Sequence, residues 1–440
     1  LWDSVDLGFK PTKRTWGAEV FPGSSLPNAM VQVSPVTKFH SGAGYQYEDS
    51  VIYGFTHTNK GHWNLCHIPL LPVTGTPTPG DYCSPFSHER ESAALGYYQV
   101  FLDRYGVDAQ LSSTLRCAFH KYTYPAGAAA SLLADLQRSN EHVRAWDIRK
   151  EGDNVFAGWQ QTGEKMYFYA VANRPVTGIE PVVEGDREVR IVRFGEGDGA
   201  LELRIGFSFV SEENARKNLE AEMLGRSFAD VRSEATAVWN DLLGRIRVEG
   251  GTEREKGLFY SCLYRSFLWP ALRSDVNGEY MGADFRVHRS RSKQYTSFSN
   301  WDTYRTQIQL LSMLAPDVAS DVVLSHQHFA EQSGGAFPRW VMANIETGIM
   351  QGDPTPILIA NAWAFGAQDY DPFPLFQIMR RNAEVPGAKS QDVEERPGLK
   401  QYLEKGYYNA SEQLEYTSSD FSIGQLSLIH ISEPTRRRGI

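Results

Sequence analysis

The hydrophobic period of this chain changes at Ser211, and that change limits what the chain can fold into. Just before it, Leu201, Leu203, Ile205, Phe207 and Phe209 alternate with Glu202, Arg204, Gly206 and Ser208. A period of two puts one face of a strand on a core and the other towards polar surroundings. Strand-like runs recur at 30–33, 97–102, 109–119, 154–160, 166–171, 188–194 and 201–210, broken by Gly, Pro, Asn and Asp. Many short strands at close spacing predict a large β-sandwich over 1–210. Past Ser211, itself a candidate N-cap with Glu212 and Glu213 in the first turn, the spacing becomes helical. Phe228, Val231, Ala235, Val238, Trp239 and Leu242 then share one face of a helical linker, 211–250, which Gly250-Gly251 closes. Helices are expected at about 253–269, stopped by Pro270, and at about 303–314, 317–332, 356–366 and 373–382. Helices alternating with loops fit an (α/α) toroid.

At 440 residues there is room for two or three domains and an ample core. A net charge of -9 gives no electrostatic footprint for nucleic acid and is compatible with neutral ligands such as sugars. No apolar run is long enough to span a bilayer, and no charged-then-apolar leader opens the chain, so no signal peptide is read in it. Cys66, Cys83, Cys117 and Cys262 are scattered without a CxxC pair or metal-ligand spacing, which points to free thiols, with a single disulfide left open.

Three stretches carry chemistry. From 295 to 353, aromatic rings alternate with carboxylates: Trp301 beside Asp302, Trp340 shortly before Glu346, then Asp353, with turns at Gly334, Gly335, Gly348 and Gly352. A pyranose offers an apolar face for a ring and hydroxyls for carboxylates, so the mixture suits a sugar. The competing reading is a helix pair with buried tryptophans and ordinary caps. From 54 to 71, His57, His62, Trp63 and His67 crowd together beside glycines. Their spacing fits no zinc template, so no metal ligand is assigned, and the segment is a loop presenting Trp63 to a ligand or a structural loop. In 406–420, Glu415 stands between Leu414 and Tyr416. Partial desolvation there would raise the acid's pKa and keep it protonated near neutrality; the alternative is an exposed helical glutamate. His326 and His328 lie two apart on a helix, point to different faces, and are read as structural.

Several of these pieces together resemble glycoside hydrolase family 92, the calcium-dependent exo-acting α-mannosidases. The matching runs are Phe298-Ser299-Asn300-Trp301-Asp302-Thr303-Tyr304-Arg305, Gly334-Gly335 with Pro338 and Trp340, Glu346-Thr347 leading to Gly352-Asp353, and Leu414-Glu415-Tyr416 before Asp420-Phe421. Phe21-Pro22-Gly23, Asn28-Ala29-Met30-Val31-Gln32, Tyr53-Gly54-Phe55-Thr56-His57-Thr58 and Phe86-Ser87-His88-Glu89 resemble the N-terminal domain of the same enzymes. The resemblance implies a multidomain β + α chain: an N-terminal β-sandwich followed by a truncated (α/α)6 toroid, with 251–425 as a partial catalytic domain. It implies Glu415 as proton donor, and Trp63, Trp301, Asp302, Trp340, Glu346 and Asp353 as substrate-binding residues, with Trp63 on the leaving-group side. Asn59-Lys60-Gly61-His62 stands where many members carry a second histidine and a Ser-Gly-Thr-Gly-like turn, so aglycone preference does not carry over.

The implied function is inverting, calcium-dependent release of terminal α-linked mannose, of α-1,2-mannosidase type, from mannans or high-mannose N-glycans. Its partner is a mannose-containing oligosaccharide, and its location is secreted, periplasmic or at the cell surface. An inverting pair of carboxyls stands about 6.5–9.5 Å apart around a water. The family's base and its Ca2+ ligands are expected beyond residue 425, so this chain is expected to be an inactive fragment. The tail 426–440 resembles a translated sequencing adaptor and is expected to carry no fold. A sandwich-plus-toroid disaccharide phosphorylase, or a non-catalytic glycan-binding protein, are the alternatives; no basic cluster supports a phosphate pocket.

Overall fold

The computed structural model describes residues 21–41, 44–60 and 63–436, with the backbone alone at 59–60, 63–64 and 429–436. It forms two compact units, Leu1–Ala271 with Asp275–Asn277, and Leu272–Ser274 with Gly278–Ile440.

The first unit is built from β1 (Ser24–Ser25), β2 (Gln32–Val36), β3 (Gly54–Thr56), β4 (Leu70–Val73), β5 (Glu91–Ala94), β6 (Tyr97–Leu102), β7 (Val107–Ser113) and β8 (Cys117–Thr123). It continues with β9 (Ser131–Ala134), β10 (Ala145–Gly152), β11 (Val155–Gln161), β12 (Lys165–Ala172), β13 (Val176–Glu184), β14 (Arg187–Phe194) and β15 (Leu201–Ser208). One sheet runs β1-β2-β3-β4-β9-β14-β13 and the other β10-β11-β12-β15-β8-β7-β6-β5. Rings cross between them: Phe55 on β3 lies 6.5 Å from Tyr98, 6.4 Å from His120 and 6.3 Å from Tyr122, and Phe156 on β11 lies 6.3 Å from Phe194 on β14. The expected sandwich is present.

Residues 109–119 are not one strand. They divide into β7 and β8 around a turn at 114–116. Glu222, far along the chain, accepts from Thr114 Oγ1 (2.6 Å), Arg116 N (2.9 Å) and Arg116 Nη1 (2.6 Å), and so holds the reversal in place. β4 (LLPV) and β9 (SLLA) were not expected; they are fully buried, so no alternation marks them.

The helices α1 (Glu212–Glu222), α2 (Phe228–Leu243) and α3 (Glu253–Ser266) also belong to this unit. Ser211 caps α1, its Oγ accepting from Asn214 N at 3.1 Å. Leu219, Met223, Phe228 and Val231 pack on Tyr97, Cys117 and Phe119, so α1 and α2 cover the outer face of the larger sheet. A Cβ on Gly206 of β15 would stand 2.2 Å from Ala215 O; this close approach of helix to strand requires glycine. α3 stops at Ser266 rather than running to 269, because the approach to Pro270 disfavours helical backbone.

His57 and His120 lie inside the sandwich with their Nε2 atoms 3.0 Å apart, and His120 Nδ1 is 2.6 Å from Tyr122 OH. Burial holds His57 down at about 3 and His120 well below the ordinary histidine range. The unfolded chain, with histidines near 6.5, therefore binds more protons between about pH 6.5 and 3 than the fold does. The stability these two supply is complete above about pH 6.5 and is lost as pH falls through that window. Unfolding free energy is expected to drop by about 1.4 kcal/mol per pH unit for each histidine, and His57→Leu to remove about half of that slope. Urea melts from about pH 7.5 to 5 measure it; an unchanged slope in the variant would exclude the assignment.

The second unit holds α4 (Asn300–Thr303), α5 (Gln307–Leu314), α6 (Pro316–Gln332), α7 (Thr355–Ala364), α8 (Pro372–Glu384), α9 (Leu399–Lys405) and α10 (Ala410–Arg436). α10 packs on α7 and α8, and α5 on α6 and α7. A single helix was expected over 303–314, but Thr306, at φ -153°, leaves α4 a separate turn ahead of α5. The tail from Leu426 was expected to carry no fold. It is helical to Arg436 as the continuation of α10, with Leu426 fully buried. Cys66, Cys83, Cys117 and Cys262 form no disulfide. Among the described residues no helix is long and apolar enough to cross a membrane.

Candidate active site

α4 is a single turn and is held from outside itself. Asn300 is buried; its Nδ2 donates to Pro338 O (2.9 Å) and to Thr355 Oγ1 (2.7 Å), while its Oδ1 lies 3.0 Å from His326 Nε2. Asn300 N donates to Arg339 O (3.2 Å) and Val341 N to Phe298 O (2.7 Å), joining the α4 segment to 338–341. His326 is thus structural, as expected, and it supports the turn that carries two predicted site residues. His328 is spent on Gln294 Oε1 at 2.9 Å.

This frame aims two indoles at two carboxylates. Trp340 Nε1 donates to Asp302 Oδ2 at 3.2 Å. Trp301 Nε1 donates to Glu415 Oε1 on α10 at 3.1 Å. Because Trp301 and Asp302 are adjacent, the two pairs form one row, with Asp302 exposed and the Glu415 side chain 21% exposed. Leu414 does not shield the acid: it points outward at 71% exposure, because only the other face of α10 meets the core. Glu415 is bounded instead by Trp301 and by Arg305, whose guanidinium stands 4.0 Å over the Trp301 ring and 4.0 Å from Glu415 Oε1. The roles first assigned do not include Arg305; its place four residues after Trp301 was the available signal, since such pairs meet on a helical turn.

Glu346 and Asp353 lie beneath this row. Glu346 is buried and accepts from the backbone N–H of Arg339 (2.7 Å), Trp340 (3.2 Å) and Gly348 (2.9 Å), closing the hairpin of Val341–Met342 and Ile345–Glu346. Burial raises its pKa against the pull of those donors. Asp353 is buried against Arg396, Oδ2 to Nε 2.9 Å. Beside them, burial pushes the Glu395 carboxyl well up, opposed by Arg339 and reinforced by Asp353 and Glu346.

In the first unit, Trp63 belongs to a hairpin of Asn59–Lys60 with Trp63–Asn64, paired Lys60 to Trp63. Its side chain, and all of His62, lie outside the described residues. His67 is buried, with Nδ1 2.9 Å from Thr58 Oγ1 and Nε2 3.1 Å from Thr162 Oγ1 and 3.3 Å from Glu141. Among the described residues no three His, Cys, Asp or Glu side chains stand together as ligands for a metal ion. The described residues therefore offer no such cluster of side chains for the calcium site that the resemblance implies.

A sandwich followed by helical hairpins, with indoles paired to carboxylates, is an architecture of carbohydrate-active enzymes. Residues 11–216 match the glycosyl hydrolase family 92 N-terminal domain and residues 214–430 the family 92 catalytic domain. The chain belongs to glycosyl hydrolase family 92. An uncharacterized secreted glycosidase of Arthroderma benhamiae is 23% identical, over 93% of this chain and 58% of that protein. A family GH92 α-mannosidase from Bacteroides thetaiotaomicron superposes with TM-score 0.88 at 24% identity, over 98% of this chain and 64% of its own. A family GH92 inverting mannosidase from the same organism gives 0.85 at 26%, over 97% and 62%. The chain thus spans about three-fifths of the length of these relatives.

Proposed function

We propose that the whole protein is a glycosidase that releases terminal α-linked mannose from mannans or high-mannose N-glycans with inversion, outside the cytoplasm. The observation that carries this reading is the row Trp340–Asp302–Trp301–Glu415, a partly exposed acid and an exposed carboxylate steadied by two indoles. Glu415, when protonated, gives its proton to the glycosidic oxygen as the bond breaks, and a second carboxylate activates water from the opposite face. Asp302 accepts hydrogen bonds from hydroxyls of the terminal sugar, with Trp301 and Trp340 beside it. Glu346 and Asp353 shape the floor from below, Glu346 held by backbone N–H donors and Asp353 by Arg396 through Oδ2. Trp63 is assigned to the leaving-group side. The calcium requirement remains part of the proposal for the whole protein, and no step here depends on it. Support comes from the solved relatives, one described as an α-mannosidase, also in complex with mannoimidazole, and one as an inverting mannosidase.

The test is mannose release from α-1,2-mannobiose and a high-mannose glycan by the whole protein. Asp302→Ala is expected to lower kcat/KM about 10²-fold, the loss of charge-assisted hydrogen bonds to sugar, with little change in melting temperature because the side chain is exposed. Unchanged activity would remove Asp302 from the site. Glycan binding without release would favour a lectin-like protein, and phosphate-dependent release of mannose 1-phosphate a phosphorylase.

A further inference from the structure

Beneath the row, Asp353 belongs to a chain of ion pairs that reaches α10. Arg396, buried, donates from Nε to Asp353 Oδ2 (2.9 Å) and from Nη1 to Asp420 Oδ1 (2.7 Å). Asp420 sits on α10, five residues past Glu415, and is 39% exposed where Arg396 and Asp353 are closed off. Ser419 Oγ is hydrogen-bonded to Asp353 O, and Tyr416 OH donates to Pro397 O at 2.9 Å. Residues 415, 416, 419 and 420 share one face of a helix. That face of α10 is therefore pinned at three places to segments 352–353 and 396–397. Gly352 explains why the contact can be so close: a Cβ there would stand 2.4 Å from Glu415 Cβ, and its φ is +76°.

We propose that Arg396 and Asp420 are positioning residues for Glu415, locking the rotation and height of α10 so that the carboxyl passes over Gly352 and meets Trp301. This rests on the assignment of Glu415 as proton donor. A pin of this kind matters because misplacing a reacting group by about 1 Å can cost about 10²-fold in rate. It acts on protonation of the leaving group alone, so its loss is felt only where the leaving group needs a proton.

The experiment compares two substrates in the whole protein, an unactivated α-mannobiose and α-mannosyl fluoride, whose fluoride departs without a proton donor. Asp420→Ala leaves Arg396 paired with Asp353, and water reaches the vacated position. It is expected to lower kcat on mannobiose about tenfold or more while fluoride hydrolysis stays within about twofold. Asp420→Asn, which keeps an acceptor oxygen, should recover most of the loss. Equal falls on both substrates, or no change on either, would overturn the inference. Glu415→Gln run in parallel separates the two assignments. If Glu415→Gln spares fluoride and Asp420→Ala shows no such split, only the positioning role is lost. If Glu415→Gln itself shows no split, the proton-donor assignment fails, and the inference with it.

Discussion

Glu415→Gln is expected to lower kcat on an unactivated α-mannoside by about 10²–10⁴-fold in the whole protein, the range for removing a general acid. The substitution is close to isosteric. Trp301 Nε1 can still donate to the amide oxygen from 3.1 Å, so the side chain keeps its place. The group is partly exposed and carries no buried ion pair, so melting temperature should barely move. What is lost is the transferable proton. KM should change far less than kcat. Wild-type turnover by the variant would sink the assignment.

The largest effect on stability is expected at Arg396. Arg396→Ala leaves Asp353 buried with its charge unpaired and also frees Asp420 from the same guanidinium. Breaking a buried pair from one side costs about 3–5 kcal/mol, because the remaining charge keeps its desolvation penalty without compensation. By contrast, removing the exposed Arg380–Glu384 pair of α8 should cost under about 1 kcal/mol. Urea unfolding of the chain, followed on a probe in the second unit, would show the difference as a lower midpoint. Arg396→Met with Asp353→Leu should recover much of the loss, since an apolar pair has no desolvation cost to offset. A drop under about 1 kcal/mol for Arg396→Ala would mean that water reaches Asp353 and the pair is not sealed.

Local signals served well where the chain answers to its near neighbours. Ser211 caps α1 because its hydroxyl needs only the N–H three residues on. Phe228, Val231, Ala235, Trp239 and Leu242 are buried as their spacing required, since they share the one face of α2 that meets the rest of the unit. Signals failed where a distant group decides. Nothing near 114–116 reveals that Glu222 will hold the turn that splits 109–119 into two strands. Glu346 and Asp353 look like any carboxylate beside an aromatic residue until the backbone donors of 339–348 and the guanidinium of Arg396 close on them. Leu414 and Tyr416 are equally apolar neighbours of Glu415, yet only Tyr416 is buried.

The amino-acid order alone determined the change from period two to helical period at Ser211, the main strands and helices, and the aromatic-carboxylate motifs that carry the family resemblance. These depend on backbone preference and side-chain rhythm within a few residues. Tertiary structure alone decided which carboxylates face the open row and which support it. Trp301 meets Glu415 across 114 residues of chain and Trp340 meets Asp302 across 38. Such pairings follow from how whole elements pack, and exposure and hydrogen-bond partners are properties of that packing rather than of any window of sequence.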